Sequence, residues 1–289
     1  MSSKSTLNNS ASTALFIFIW SSGAILTAWG LQHASALIFL VFRFTIALAV
    51  LTVIGIYRRR WLPRSGTRVR IAIIGLLLTG GYSVCYFLAL EHGVTPGVMA
   101  TLLGVQPVLT LLLFERRFSV LRITGLGLAL TGLILVVHQS IDAARSSIAG
   151  TCFGLGALAC ITTGAILQKA VTEQPAEVLP LQYSMSLMLC VVILPFEPLT
   201  LSFDLGFLIP LLWLGLIISV VAQLLFYRLI RTGNLVNVTS LFYLVPVVTA
   251  ALDYLLLGNR LGLLSLTGMG AVLVGLWLVF KGKGARRIT

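Results

Sequence analysis

Thr124-Gly125-Leu126-Gly127-Leu128-Ala129-Leu130-Thr131-Gly132-Leu133-Ile134-Leu135-Val136 returns 143 residues later as Thr267-Gly268-Met269-Gly270-Ala271-Val272-Leu273-Val274-Gly275-Leu276-Trp277-Leu278-Val279. Eight of the thirteen positions are identical, and the Gly-x-Gly-x-x-x-x-Gly frame is kept whole. A shorter echo, Ser21-Ser22-Gly23-Ala24-Ile25-Leu26 against Thr162-Thr163-Gly164-Ala165-Ile166-Leu167, has an offset of 141. One match between glycine- and leucine-rich helices carries little weight. Two, in order and at nearly equal spacing, make the chain a tandem duplication. Both copies lie in long apolar runs, and a membrane chain of two similar halves is the mark of a secondary transporter.

Composition agrees with that class. The 289 residues are 58% hydrophobic and 10% charged, with a mean hydropathy of +1.04. A soluble domain of this length needs far more charge to cover its surface, so the chain is a polytopic membrane protein. Its net charge of +12 is no sign of nucleic-acid binding, because the basic residues sit in short loops between apolar spans. Cys85, Cys152, Cys160 and Cys190 fall within those spans without metal-ligand spacing and read as small buried hydrophobes. No cofactor is expected.

Runs long enough to cross a bilayer, roughly twenty residues each, fall at about 13–32, 36–57, 70–90, 95–114, 120–138, 148–169, 178–196, 206–228, 234–257 and 262–280. Ala34-Ser35-Ala36 resembles a signal-peptidase site, but the preceding run is long for a signal segment and carries half of the shorter echo. It reads as a retained first helix. Seventeen Lys and Arg residues then lie on the side that holds both termini, among them Arg58–Arg60, Arg64, Arg116, Arg117, Arg122, Lys169, Arg228, Arg231 and Lys281. The opposite side has two, Arg145 and Arg260. The positive-inside rule puts both termini in the cytoplasm, of an inner (plasma) membrane.

The fold expected is therefore all-α, with ten transmembrane helices as two five-helix repeats, residues 1–140 and 141–289. Five is odd, so the second repeat enters the membrane upside down relative to the first. An inverted repeat has two near-equivalent packings of its halves, from which alternating access follows.

The order of the short motifs is similar to that of the drug/metabolite transporter superfamily, specifically its EamA-type ten-helix exporters. Trp20-Ser21-Ser22-Gly23, Phe42-Arg43-Phe44, Tyr86-Phe87-Leu88-Ala89-Leu90, Gly93 and Pro107 carry the likeness in the first half. Pro246, Leu257-Gly258-Asn259-Arg260-Leu261 and the Gly268/Gly270/Gly275 helix carry it in the second. The chain departs from the family's Leu-Gly-Glu-Arg turn at Asn259, and Glu115-Arg116-Arg117 fills the matching turn of a slightly shorter first half. The resemblance implies a ten-helix exporter of small metabolites.

Arg43 is the residue most suggestive of function. It lies about eight residues into the second span, roughly 12 Å deep at 1.5 Å per residue. An ionised group at that depth must be paired or face a polar interior. Asp253, at similar depth in the ninth span, is its natural counterpart. Arg43 either holds a substrate carboxylate or pairs with Asp253, and a fixed helix-locking ion pair is the structural alternative. Trp20, Tyr82, Tyr86, Gln106 and Tyr243 gather near the middle depth and offer an apolar face with one or two hydrogen bonds, as the linings of small-molecule sites do. Pro107 and Pro246 occupy matching places in the fourth and ninth spans, where a lost backbone bond makes a kink and a hinge. The glycine frames, Gly125/Gly127/Gly132 and Gly268/Gly270/Gly275, read as close helix packing. His33, His92 and His138 read as solvated loop or helix-end residues.

The expectation is a secondary-active exporter of a small metabolite, an amino acid or amino-acid derivative, with membrane lipids as its surroundings and a monomer or weak homodimer as its assembly. No GxxxxGK[ST] is present. Export of cationic drugs is an alternative. An intramembrane enzyme acting on a lipid-linked substrate is another, disfavoured because the spans lack paired carboxylates or HExxH. A passive channel is disfavoured by the lack of filter segments.

Overall fold

The computed structural model describes residues 2–59, 62–115, 119–142, 147–197, 199–248 and 262–282. These form helices; the one extended pairing among them is an isolated antiparallel bridge between Ala34 and Leu201. In chain order the helices are α1 (Ser2–Gly30), α2 (Ala36–Tyr57), α3 (Ser65–Glu91), α4 (Pro96–Glu115) and α5 (Val120–Asp142). Then come α6 (Ile148–Lys169), α7 (Pro175–Phe196), α8 (Leu205–Thr232), α9 (Leu235–Val248) and α10 (Leu263–Lys281). Among the described residues, all but α9 are long and apolar enough to cross a membrane, and the rest of the expected ninth span falls outside the described residues.

Several helices outrun their expected spans. α8 continues through Arg228 and Arg231 to Thr232, and α3 begins at Ser65, well before the apolar run. Charge marks where the bilayer ends, but arginine is a good helix former and does not stop the helix. Where helices do start, local chemistry explains it. Thr95, Ser147, Asp204 and Asn234 each accept a hydrogen bond from the backbone N–H three residues on, at 3.4, 3.0, 3.0 and 3.1 Å. Caps of this kind contribute about 1 kcal/mol each.

The chain divides into two compact units, each built from both halves of the sequence. Residues 1–94 with 146–232 form unit 1, and residues 95–145 with 233–289 form unit 2. Unit 1 thus holds α1–α3 with α6–α8, and unit 2 holds α4 and α5 with α9 and α10.

Within unit 2, α5 and α10 cross backbone to backbone. A β-carbon on Gly125 would lie 2.7 Å from the Gly275 carbonyl oxygen, and one on Gly132 would lie 2.7 Å from that of Gly268. The 143-residue offset matches Gly125 with Gly268 and Gly132 with Gly275. Exchanging the repeats therefore converts one contact into the other, as a local twofold relation between antiparallel helices requires. Gly127 and Gly270 do not take part: a β-carbon on either meets nothing within 4 Å. The expectation that all six glycines pack is corrected to four.

Within unit 1 the repeat shows as a shared irregularity. α3 is π-helical over Gly75–Gly81 and α8 over Trp213–Ala222, segments that begin 138 residues apart (75 to 213). A π segment carries an extra residue per turn and loosens the carbonyl ladder. α7 packs against α3, and it donates side-chain hydrogen bonds to a carbonyl in each segment. Ser186 Oγ donates to Gly75 O at 3.2 Å, and Tyr183 OH donates to Ser219 O at 2.8 Å.

The ends of unit 1 are tied by polar contacts. Lys169 Nζ donates to the carbonyls of Ile230 and Arg231 at 2.7 and 3.3 Å, satisfying oxygens that the end of α8 would otherwise leave open. On the same side the Thr67 hydroxyl donates to Glu173 at 2.6 Å and holds that carboxyl below the usual glutamate range. At the other end His33 Nδ1 pairs with Asp204 at 2.9 Å, while Ser202 N–H donates to His33 O and Ser35 N–H to Thr200 O. His33, read as a solvated loop residue, is a partner in that tie. His138 Nδ1 lies 2.8 Å from Leu135 O of its own helix.

Candidate functional site

Unit 1 assembles a polar centre around Arg43. This arginine is half-buried on α2, and its Nε donates to Ser219 Oγ on α8 at 2.8 Å. Its guanidinium carbon lies 5.7 Å from the centre of the Phe87 ring and 6.0 Å from that of Phe44, within cation–π range of both. Ser219 is shared, because its carbonyl takes the Tyr183 hydroxyl from α7. Arg43 and Tyr183 are 140 residues apart (43 to 183), close to the repeat offset, so α2 and α7 present them from matching places.

Tyr82 and Tyr86 stand on one face of α3, ring centres 5.8 Å apart, and both lie within the electrostatic reach of the Arg43 guanidinium. The cation therefore sits among tyrosine hydroxyls from α3 and α7, a serine from α8 and two phenyl rings. Among the described residues no carboxylate pairs with it. Its two terminal nitrogens make no hydrogen bond to any described residue. One nitrogen of Arg43 is fixed by the protein, and the two terminal nitrogens keep the fork geometry that can grip a carboxylate in a bidentate manner.

Of the other expected site residues, Trp20 belongs to unit 1 but packs in an aromatic set, 5.1 Å from Phe16 and 5.7 Å from Phe226. Gln106 and Tyr243 belong to unit 2 and are fully buried there. Asp253 lies outside the described residues. Tyr183 and Ser219 were not among the expected residues. The signal for Tyr183 was its spacing from Arg43; that for Ser219 was a lone hydroxyl, one turn before Gln223, in an otherwise apolar run.

The prolines act one step earlier than expected. α4 breaks at Gly104–Val105, and Pro107 opens the next helical segment, Gln106–Thr110. The Val105 N–H reaches back only to Leu102 O, at 3.1 Å. The physical reason is that a proline ring clashes with the carbonyl four residues before it, while its own missing N–H is harmless in a first turn. α9 repeats the pattern: the turn Leu241–Tyr243 tightens to a 3-10 helix just before Pro246. Each proline thus marks the restart of a discontinuous helix rather than a kink at its own position.

Comparison with known proteins follows the same lines. The model of the EamA-like transporter family matches this chain twice, over residues 11–138 and 148–281. A probable amino-acid metabolite efflux pump of Salmonella typhimurium (strain LT2) is 23% identical over 293 residues, covering 94% of this chain and 95% of that protein. A solved structure described only as "Crystal structure of protein" superposes with a TM-score of 0.76 at 17% identity, over 94% of this chain and 98% of its own. The likeness to that structure is one of fold.

Proposed function

The chain belongs to the EamA-like transporter family, and on that premise we propose that it is a secondary-active exporter of an amino acid or amino-acid-derived metabolite. The coarser statement, a multi-pass membrane transporter of small molecules with its metabolite as partner, comes with the family. The finer one rests on a single observation: Arg43, inside the second apolar span, has its Nε held by Ser219, and its two terminal nitrogens have no partner among the described residues. An uncompensated charge there is costly, so an anion that arrives and leaves is the natural complement. The name of the Salmonella relative points the same way.

In this reading the substrate carboxylate seats on Arg43 beside Tyr82 and Tyr86. Pro107 and Pro246 mark the hinges of two discontinuous helices, and the inverted repeat supplies the two packings that alternate. Asp253 stays a candidate for the ammonium end. The membrane is the inner one, both termini are cytoplasmic, and the assembly is a monomer or weak homodimer.

The test is a substitution that keeps the charge. Arg43→Lys loses the bidentate fork, which is worth roughly 1.5–3 kcal/mol, or about ten- to a hundredfold in affinity. Counterflow in liposomes should show that loss for amino acids and little loss for their methyl esters. Equal loss for both in a well-folded protein would make Arg43 structural and remove the zwitterion. Competition by cationic drugs but not amino acids would turn the reading to drug export.

Orientation has its own check. Reporter fusions after Arg64 and Lys169 should report cytoplasm, and fusions near His92 and Asp204 the opposite side. The reverse pattern would overturn the assignment from charge.

A further inference from the structure

Unit 2 contains buried hydrogen-bonding groups that no described residue satisfies. Gln106 is 1% exposed, and Thr110 and Tyr243 are 0% exposed. Among the described residues, neither amide atom of Gln106, nor Thr110 Oγ1, nor the Tyr243 hydroxyl has a hydrogen-bond partner. Buried polar atoms in native proteins are nearly always paired, because an unpaired one forfeits its water for nothing.

Their neighbours show that the shortfall is local. Thr239 and Ser240 on α9 are also fully buried, yet their hydroxyls bond back to the Val236 carbonyl at 3.1 and 2.7 Å. Thr101 on α4 does the same with Gly97 O at 3.1 Å. Thr110, on the same helix, does not. Gln106 and Thr110 are four apart and share a face of the segment after the α4 break, and that segment packs directly on the first turns of α9. Tyr243 ends the tightened turn of α9 and joins an apolar cluster with Leu111, Val236 and Val247.

We infer that Gln106, Thr110 and Tyr243 form a binding site for an uncharged group that both donates and accepts hydrogen bonds, and specifically for a primary carboxamide. The Gln106 side chain offers one acceptor and one donor side by side. A carboxamide is the group that meets both at once, through two antiparallel hydrogen bonds, leaving the hydroxyls to take its remaining N–H and lone pair. An ion is the wrong occupant for these three side chains, because none of them carries a charge to compensate it. The inference rests on the transport reading for its purpose, since it names what the carried molecule bears, but it stands on different residues. Water shares part of this chemistry, and the experiment separates the two.

Purified protein is tested by thermal shift with propionamide, which has no ionic group, and by counterflow competition between glutamine and methionine, similar in size. Wild type should prefer glutamine at least about tenfold, and propionamide should protect it from unfolding. Gln106→Met, which keeps the volume, should abolish both effects. Tyr243→Phe and Thr110→Val, each lacking one hydroxyl oxygen, should weaken them, and they carry the comparison if Gln106→Met does not fold. Protection by propionamide that needs Gln106, without any amino-acid binding, would uphold this site while removing the carboxylate at Arg43. No protection that depends on these residues, together with an unchanged or absent glutamine preference, would mean the site holds water only and overturn the inference.

Discussion

Replacing Arg122 by methionine should lower the stability of the protein by about 3–5 kcal/mol, the usual consequence of removing one partner from a buried ion pair. Arg122 is 1% exposed, and the Glu115 side chain it meets is 10% exposed. One terminal nitrogen donates to Glu115, and the other donates to Asn234 Oδ1 at 2.9 Å and Asn237 Oδ1 at 2.7 Å. Asn234 Nδ2 closes the ring by donating to the second Glu115 oxygen at 2.6 Å. The network gathers the end of α4, the start of α5 and the start of α9. Gly282, after α10, leaves room for the arginine stem, since a β-carbon there would come within 2.5 Å of Arg122 Cγ.

Without Arg122, Glu115 keeps one amide donor and no counter-charge among the described residues. Glu115→Gln should cost less, because its amide still accepts from Arg122. Arg122→Met combined with Glu115→Leu should recover most of the loss, as apolar groups of similar volume often replace a buried pair at little net cost. Equilibrium unfolding in detergent measures all three, and Glu115→Leu alone completes the double-mutant cycle that gives the coupling. A single Arg122→Met as stable as wild type would show that the network contributes nothing.

Gly132→Ala should be nearly as damaging, and Gly127→Ala harmless. A β-carbon at 132 would sit 2.7 Å from both the Gly268 carbonyl oxygen and the Val272 nitrogen, and backbone cannot swing aside as a side chain can. Helices α5 and α10 must part, which we place at about 3 kcal/mol, the upper range for overpacking. At 127 the added methyl meets open space, so alanine's helix propensity should make the change neutral or favourable by up to about 1 kcal/mol. The same contrast is expected between Gly268→Ala and Gly270→Ala. Equal effects at 127 and 132 would show that the crossing is not held by close backbone approach.

That contrast was legible in the sequence. At 100° per residue Gly132 returns to within about 20° of Gly125, whereas Gly127 is about 200° round the helix. Reading the frame as one packing motif overlooked the phase. Arg122 was not legible. It follows the basic run Arg116-Arg117 and counts with it as an orientation signal, and nothing local distinguishes a loop arginine from one drawn under α9 by two asparagines more than a hundred residues away.

For the candidate site the division is similar. Arg43 stood out because a charge inside an apolar run is a local anomaly, and Gln106 and Tyr243 because polar side chains at mid-span are few. Ser219 could not be assigned, since its role depends on α8 lying beside α2.

The sequence by itself determined the class, the spans and the duplication, because apolar length, charge placement and repeat spacing are properties of short stretches read along the chain. It also determined that the halves are inverted, since that follows from counting helices. Only the tertiary structure decided that the compact units take α1–α3 with α6–α8 and α4–α5 with α9–α10. It alone decided that α3 and α8 turn π-helical at matching places and that α4 breaks before its proline. Those outcomes depend on which helix faces meet, and in a chain whose helices are nearly all apolar the hydrophobic pattern does not choose between faces. Close backbone approach and the pairing of a few buried polar groups make that choice, and both exist only once the helices are packed.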